Sequence, residues 1–367
     1  DVLGSRGLGD VYKRQDIKEG MKTLGAYGEI AKMSAALSGA VPQIAVVDGL
    51  CAGTAAMIAC MADVVIMTEK SELFMTAPFT ADDKTAGAGT AENAAKSGVA
   101  AILAKDSDEA IAKAKQLLSV LPANNLETAG NDYYMENDAA VSADLKGIEL
   151  ISSVADKESV IELYKQFGTS AVTAIGSLNW RTAGFVATNN GAKLTADDSA
   201  KIARFVTLCD AYSIPVVTFV DSEGFEKSSA AELAGSIRDS AKLAQAYASA
   251  TTAKIAVVTG KAYGSAYVAL ASTAAGSDFT FAWEGAVIAP TTPEAAVVFL
   301  NGVSEDNAKQ AQEYADNEAD AFTAAANGYV DRVITAEDTK SALTSAIEAT
   351  SSKRVVTPAK KHVNFVY

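Results

Sequence analysis

In 367 residues the chain has one histidine, three cysteines and seven prolines. The histidine, His362, sits in a closing Lys360-Lys361-His362 run and reads as a solvated tail residue. A Ser-His-Asp or Cys-His enzyme needs a positioned imidazole, and a zinc site needs clustered His or Cys ligands. Both classes are set aside, and no metal is expected. Cys51, Cys60 and Cys209 are too few and too unevenly spaced for a disulfide framework. They read as reduced thiols of a cytoplasmic protein. Positive charge is short as well: 31 Lys and Arg stand against 45 Asp and Glu, a net charge of −14. Neutralising phosphates takes a basic surface, so nucleic acid is not an expected partner, and an anionic membrane surface is disfavoured. The longest apolar windows, Gly49–Ala62 and Ala262–Ser277, fall short of the roughly 20 residues of a membrane span and read as core. The P-loop pattern G-x-x-x-x-G-K-[ST] and the GxGxxG dinucleotide fingerprint are both missing.

What is present is a large apolar fraction, 49% of residues against 21% charged, in a chain long enough for two domains. Self-similarity supports that division. Residues 44–57 read IAVVDGLCAGTAAM and residues 255–268 read IAVVTGKAYGSAYV. Ile44/Ile255, Ala45/Ala256, Val46/Val257, Val47/Val258, Gly49/Gly260, Gly53/Gly264 and Ala55/Ala266 are identical, and Thr54/Ser265 is conservative. Both copies continue into a strand-like run, Asp63–Met67 and Asp278–Ala282. Upstream, Gly28-Glu29-Ile30 and Gly235-Ser236-Ile237 correspond after a small shift.

Each copy has one grammar. A β-branched run predicts a strand buried on both faces, two glycines four apart allow a sharp turn, and a small-residue helix follows. Helical periodicity over Ser107–Leu121 and Leu233–Ala250 alternates with strands, so the fold class is α/β with two tandem domains. The polar stretch 123–150 reads as the linker. The expected division is 1–15, 16–150 and 151–367, the opening DVLGSRGLGDVYKRQ having no counterpart in the second copy and reading as a non-native leader. A strand near Ala171 precedes Ile255 by 84 residues, whereas Asp16 precedes Ile44 by 28. The first domain is therefore expected to lack roughly 50 residues at its start relative to the second.

A strand, a glycine turn and a helix start leave unpaired backbone N–H groups pointing one way. With phosphate loops set aside, such a turn serves as an oxyanion hole for a carbonyl, or serves packing alone. The residues leave both readings open.

A resemblance covers about residues 17–367. In order along the chain it is carried by Gly39–Ile44, Cys51-Ala52-Gly53, Phe74–Pro78, Lys96–Ala100, Leu121–Asn125, Gly184–Ala187, Ala203-Arg204-Phe205, Cys209-Asp210-Ala211, Ile214–Val217, Asp221, Gly224-Phe225, Lys261–Gly264, Ala282-Trp283, Pro293-Glu294, Gly328–Asp331 and Lys360-Lys361-His362. These resemble the biotin-dependent acyl-CoA carboxyltransferases: the β subunits of acyl-CoA carboxylases and the related decarboxylase and transcarboxylase subunits. The resemblance implies two tandem crotonase-like ββα-superhelix domains, the first incomplete at its start.

It also implies a reaction. Carboxybiotin on a separate carrier gives up CO₂, the biotin enolate takes the α-proton of a short acyl-CoA, and the thioester enolate attacks CO₂. Two oxyanions need two holes. Gly53, Thr54 and Ala55 are then expected to hold the coenzyme A thioester oxygen, and Gly264, Ser265 and Ala266 the biotin ureido oxygen. Tyr263 is expected to line the biotin site or simply to pack, and Val268 to line the acyl pocket for acetyl- or propionyl-sized groups. Because the cofactor is its own base, no histidine is required. Thr54 and Ser265 stand where the family has a second glycine, and Glu223 where it has proline. Met-Lys-Met is absent, Met21-Lys22-Thr23 reading as a helical surface lysine, so biotin comes from a biotin carboxyl carrier protein with a biotin carboxylase or decarboxylase partner subunit. A facing dimer and a ring of six are implied.

The alternatives are the α subunit of a sodium-pumping biotin-dependent decarboxylase, membrane-associated through its partner, and a non-catalytic scaffold homologue. A hydratase or isomerase on the same superhelix would need an acid/base carboxylate near the first turn, and Asp48 is the candidate. Trp180 and Trp283 read as core or interface aromatics, Glu294 as a helix-start residue, and Lys261 as an exposed lysine or an anion contact.

Overall fold

The computed structural model describes residues 18–76, 87–128, 135–188, 191–360 and 364. The opening 1–15, Ala77-Pro78 and Lys361-His362 lie outside the described residues. Contacts divide the chain into two compact units. The described residues up to 128, with 163–167, form the first; 135–162 and those from 168 onward form the second.

In the first unit the strands are β1 (Ile44–Val47), β2 (Leu50–Ala52), β3 (Val64–Thr68), β4 (Glu72–Phe74) and β5 (Ile102–Ala104). They make a parallel sheet of order β1-β3-β5 and a separate parallel pair β2-β4. Every residue of β3 is buried, as a central strand of a parallel sheet must be. Val47, Val65, Met67 and Leu73 form the core with the helix alanines Ala56, Ala91 and Ala94. The predicted helix from Ser107 runs to Val120, started by the Asp106 carboxylate accepting the Glu109 N–H at 3.0 Å.

The second unit carries β6 (Ile161–Leu163, all but its last residue), β7 (Ala171–Leu178), β8 (Arg181–Thr188), β9 (Val216–Ser222), β10 (Lys254–Tyr263), β11 (Phe279–Trp283), β12 (Val287–Ala289) and β13 (Arg332–Ile334). Their order is β13-β11-β10-β9-β8-β7-β6, with β12 also on β10. Only the β7–β8 hairpin is antiparallel among the registers recorded. The interior is Phe185, Val217, Phe219, Ile255, Val257, Phe281, Trp283, Leu343 and Ile347. The stretch read as one helix over Leu233–Ala250 is two, Ser229–Ala234 and Ser236–Ser249, because Gly235 takes a left-handed conformation at φ 82°. The segment read as linker ends inside a helix, Gly147–Val154, whose Leu150, Ile151 and Val154 join the second core.

The repeat is structural as well as sequential. Ile44–Val47 pairs in parallel with Val64–Met67, and Ile255–Val258 pairs in parallel with Phe279–Ala282. On its other edge β10 pairs with β9, whereas among the described residues β1 pairs with β3 alone. No helix among the described residues is long and apolar enough to cross a membrane.

Candidate functional site

The two copies build the same turn. In the first, the chain leaves β3 at Val47 and pairs with β4 from Leu50, so its partner strand changes within three residues. In the second, β10 leaves β11 after Val258 and pairs with β12 over Lys261–Tyr263. A glycine follows each time: Gly53 at φ 62°, ψ −132°, and Gly264 at φ 53°, ψ −128°. A side chain is strongly disfavoured in that conformation. At Gly264 there is a second obstacle, since an added Cβ would lie 2.9 Å from the Pro290 carbonyl oxygen. Among the described residues nothing lies within 4 Å of such an atom at Gly53.

The hydrogen bonds match too. Gly53 N–H donates to the Phe74 carbonyl at 2.9 Å, and Gly264 N–H donates to the Ala289 carbonyl at 2.9 Å. Each acceptor ends the short strand beside the turn. The glycine carbonyls accept from Met57 and Val268 at 3.1 and 3.2 Å, starting the helices Thr54–Ala59 and Ser265–Leu270.

This bonding sorts the predicted site residues. The amides of Gly53 and Gly264 are already engaged, so these residues shape the turns. The donors without an intrahelical acceptor are the first-turn amides of Thr54, Ala55 and Ala56, and of Ser265, Ala266 and Tyr267. Such groups carry partial positive charge and suit an anionic oxygen. Thr54 is half-buried and Ser265 exposed, so neither side chain is packed away from its turn. Val268 is 54% exposed and its repeat equivalent Met57 46%, placing an apolar side chain beside each turn.

Tyr263 is buried among Ala289, Ala319, Val287 and Tyr314. Its burial pushes the phenol up, against a smaller opposing pull from Lys261. Lys261 Nζ donates to Glu223 Oε1 at 2.7 Å, and this bond holds the Glu223 carboxyl below its usual range. Asp48 has both oxygens occupied, Oδ1 by Thr68 Oγ1 at 3.1 Å and Oδ2 by Ser107 Oγ at 2.5 Å. It braces the end of β3 to the start of the helix Ser107–Val120. Trp283 is core, its Nε1–H donating to Thr339 Oγ1 at 2.9 Å. Trp180 stands half-exposed at the β7–β8 hairpin tip. Thr292, rather than Glu294, caps the helix Pro293–Asn301. Burial raises the thiols of Cys51 and Cys209.

One feature beside the second turn escaped the sequence. Asp221 is 6% exposed, and its Oδ2 accepts from Lys146 Nζ at 3.2 Å across 75 residues of chain. Its Oδ1 accepts the backbone N–H of Lys261 at 2.9 Å.

The sequence matches the carboxyl transferase domain over residues 7–365. It is 36% identical to the methylmalonyl-CoA carboxyltransferase 12S subunit of Propionibacterium freudenreichii subsp. shermanii, over 95% of this chain and 72% of that protein. It is 34% identical to the methylmalonyl-CoA decarboxylase subunit alpha of Veillonella parvula, over 95% and 73% respectively. A crystal structure of transcarboxylase 12S, a hexamer with methylmalonyl-coenzyme A and methylmalonic acid bound, is similar with a TM-score of 0.89 at 36% identity. That likeness covers 96% of this chain and 73% of the solved one.

Proposed function

The chain belongs to the carboxyl transferase family, and on that premise we propose that it moves a carboxyl group between carboxybiotin and a short acyl-CoA such as propionyl-CoA or acetyl-CoA. Its two α/β units are the tandem crotonase-like domains expected from the sequence. The first turn then serves the thioester, with the amides of Thr54 and Ala55 donating to its oxygen as enolate character develops. The second turn serves biotin, with the amides of Ser265 and Ala266 donating to the ureido oxygen. Biotin, when bound, supplies the carboxyl group and the base. The protein supplies fixed backbone dipoles, and in other enzymes removing one such donor costs about 10²–10³ in rate. Val268 and Met57 bring apolar surface to the two turns, which suits a short acyl chain and the biotin ring system.

The observation that carries this reading is the doubling itself. Two glycines hold the same φ and ψ, and their amides are consumed by the same neighbouring strand end. Any helix start leaves first-turn amides unpaired, so what favours a shared binding role is that both copies repeat the same glycine angles and the same strand-end bond. Biotin arrives on a carrier protein, and the relatives' names and the hexameric neighbour support a homo-oligomeric carboxyltransferase core with a biotin carboxylase or decarboxylase partner. The similarity to a decarboxylase α subunit keeps the reverse direction as a second reading of the same site.

The test is turnover of methylmalonyl-CoA and malonyl-CoA in the presence of free biotin. Biotin-dependent formation of propionyl-CoA or acetyl-CoA supports the reading, and the faster substrate identifies the acyl group. Folded, oligomeric protein that turns over neither thioester favours the non-catalytic scaffold.

A further inference from the structure

The second turn is delivered by an irregularity in β10. Between Val258 and Ala262 the strand advances four residues while β9 advances two, from Val220 to Ser222. The two extra residues form a bulge, a device that re-aims a strand and interrupts its ladder. Before the bulge β10 pairs with β11, and after it with β12, which leads the chain into Gly264. A bulge strands backbone donors that the neighbouring strand no longer reaches. Here the Lys261 N–H falls in that gap, and the acceptor it finds is the Asp221 side chain at 2.9 Å.

Asp221 is itself fixed from every side. Its own N–H donates to Thr188 Oγ1 at 2.7 Å and its carbonyl accepts from Gly191 N–H at 3.0 Å. Its second carboxylate oxygen holds Lys146 Nζ at 3.2 Å, with the Asp221 side chain 8% exposed. A buried carboxylate without a cation is costly, so the lysine is part of the device. The carboxyl lies against Gly260, where an added Cβ would sit 2.6 Å from Asp221 Cγ. That contact gives the repeated glycine at 260 a function: it makes room for the carboxylate.

We propose that Asp221, clamped by Lys146 and admitted by Gly260, is a positioning residue for the biotin-side turn: its carboxylate replaces the ladder bond lost at the bulge and so sets where the Ser265 and Ala266 amides stand. The proposal rests on the assignment of the second turn to biotin. It places no chemistry on Asp221, which touches no reacting atom.

The test compares Asp221→Ala, Asp221→Asn, Lys146→Gln and Gly260→Ala with Gly264→Val, in the full chain, by free-biotin-dependent turnover and by amide hydrogen exchange. In Asp221→Ala the Lys261 amide loses its protection while amides 44–57 keep theirs. The KM for biotin rises, or kcat falls, by about tenfold or more, as expected for a misplaced donor set, and the KM for acyl-CoA is unchanged. Asp221→Asn retains an acceptor for Lys261 N–H and rescues most of the loss, and Lys146→Gln falls between. If Asp221→Ala fails to fold, Lys146→Gln and Gly260→Ala carry the same comparison. The proposal is overturned if these variants leave the biotin kinetics and the Lys261 amide unchanged while Gly264→Val abolishes turnover. It is equally overturned if the acyl-CoA KM rises in step with the biotin KM. Normal turnover in Gly264→Val would instead bring down the assignment of the turn, and the clamp's role with it.

Discussion

Gly53 and Gly264, 211 positions apart, hold one backbone conformation within about ten degrees in both angles and give their amides to the last residue of a neighbouring strand, Phe74 and Ala289. The relationship ties an internal sequence repeat to a repeated piece of chemistry. Local sequence dictates the turn, and the turn fixes which amides are spent on neighbouring strand ends.

The two glycines differ in what surrounds them, and the difference is measurable. Gly53→Ala is expected to cost about 1–3 kcal/mol, the penalty of holding an L residue at φ 62°, ψ −132°, a conformation that favours glycine. Gly264→Ala is expected to cost more, because its methyl also meets the Pro290 oxygen. Urea unfolding of the two variants checks the order; equal losses would mean that the turn relaxes away from Pro290.

Lys201 gives a pH signature. It is 2% exposed, and burial pulls its ammonium from 10.5 down to about 8, with Asp198 and Glu162 opposing. Its Nζ donates to the carbonyls of Ala171 and Gly168 at 2.7 and 3.3 Å. Between pH 8 and 10.5 the unfolded chain binds this proton more readily than the folded one, so stability rises with pH across that window by roughly 3 kcal/mol from this group. Below pH 8 both states are charged and the cost is constant. Lys201→Met removes this part of the slope. Between pH 7.5 and 10 the urea midpoint therefore gains more, or loses less, for the parent than for the variant, and equal changes would contradict the assignment.

Asp156 holds the β7–β8 hairpin. Its carboxylate accepts the N–H groups of Asn179 and Trp180 at 3.0 and 3.2 Å, and both residues have positive φ. A two-residue turn of this hand is costly for residues other than Gly, Asn and Asp, so the buried carboxylate compensates. Asp156→Ala leaves both donors without it and is expected to destabilise the second unit by about 1–3 kcal/mol. Thermal unfolding checks this, and an unchanged midpoint would show that the hairpin needs no brace.

Asp48 separates two chemistries. As a brace between Thr68 and Ser107 it tolerates Asp48→Asn with turnover within a few-fold of the parent. A hydratase-type base would lose activity by the 10²–10⁴ typical of general acid–base catalysis. Steady-state rates with methylmalonyl-CoA plus biotin, and separately with a short enoyl-CoA, distinguish them.

Much of this site was legible in the sequence because it is local. The runs Ile44–Val47 and Ile255–Val258, the glycines at 53 and 264, and the small residues after them lie within one short window each. Two kinds of information were not. Which amides remain free depends on Phe74 and Ala289, which the sheet brings to the turns from 21 and 25 residues away. The Asp221 clamp joins β9, β10 and the start of the helix at Gly147, and a pairing across 75 residues has no periodicity to betray it. The break at Gly235 was missed for the opposite reason. Apolar periodicity continues through it, and only the left-handed φ of 82° divides one apparent helix into two.

The central claim is that each turn holds a different oxyanion, and the most direct measurement is a pair of Michaelis constants. Gly53→Val and Gly264→Val are assayed for biotin-dependent decarboxylation of methylmalonyl-CoA with each substrate varied in turn. The account predicts that residual activity in the Gly53 variant shows a raised KM for the acyl-CoA alone, and in the Gly264 variant a raised KM for biotin alone. Losses that fall equally on both substrates in both variants, in protein that remains folded, would contradict it.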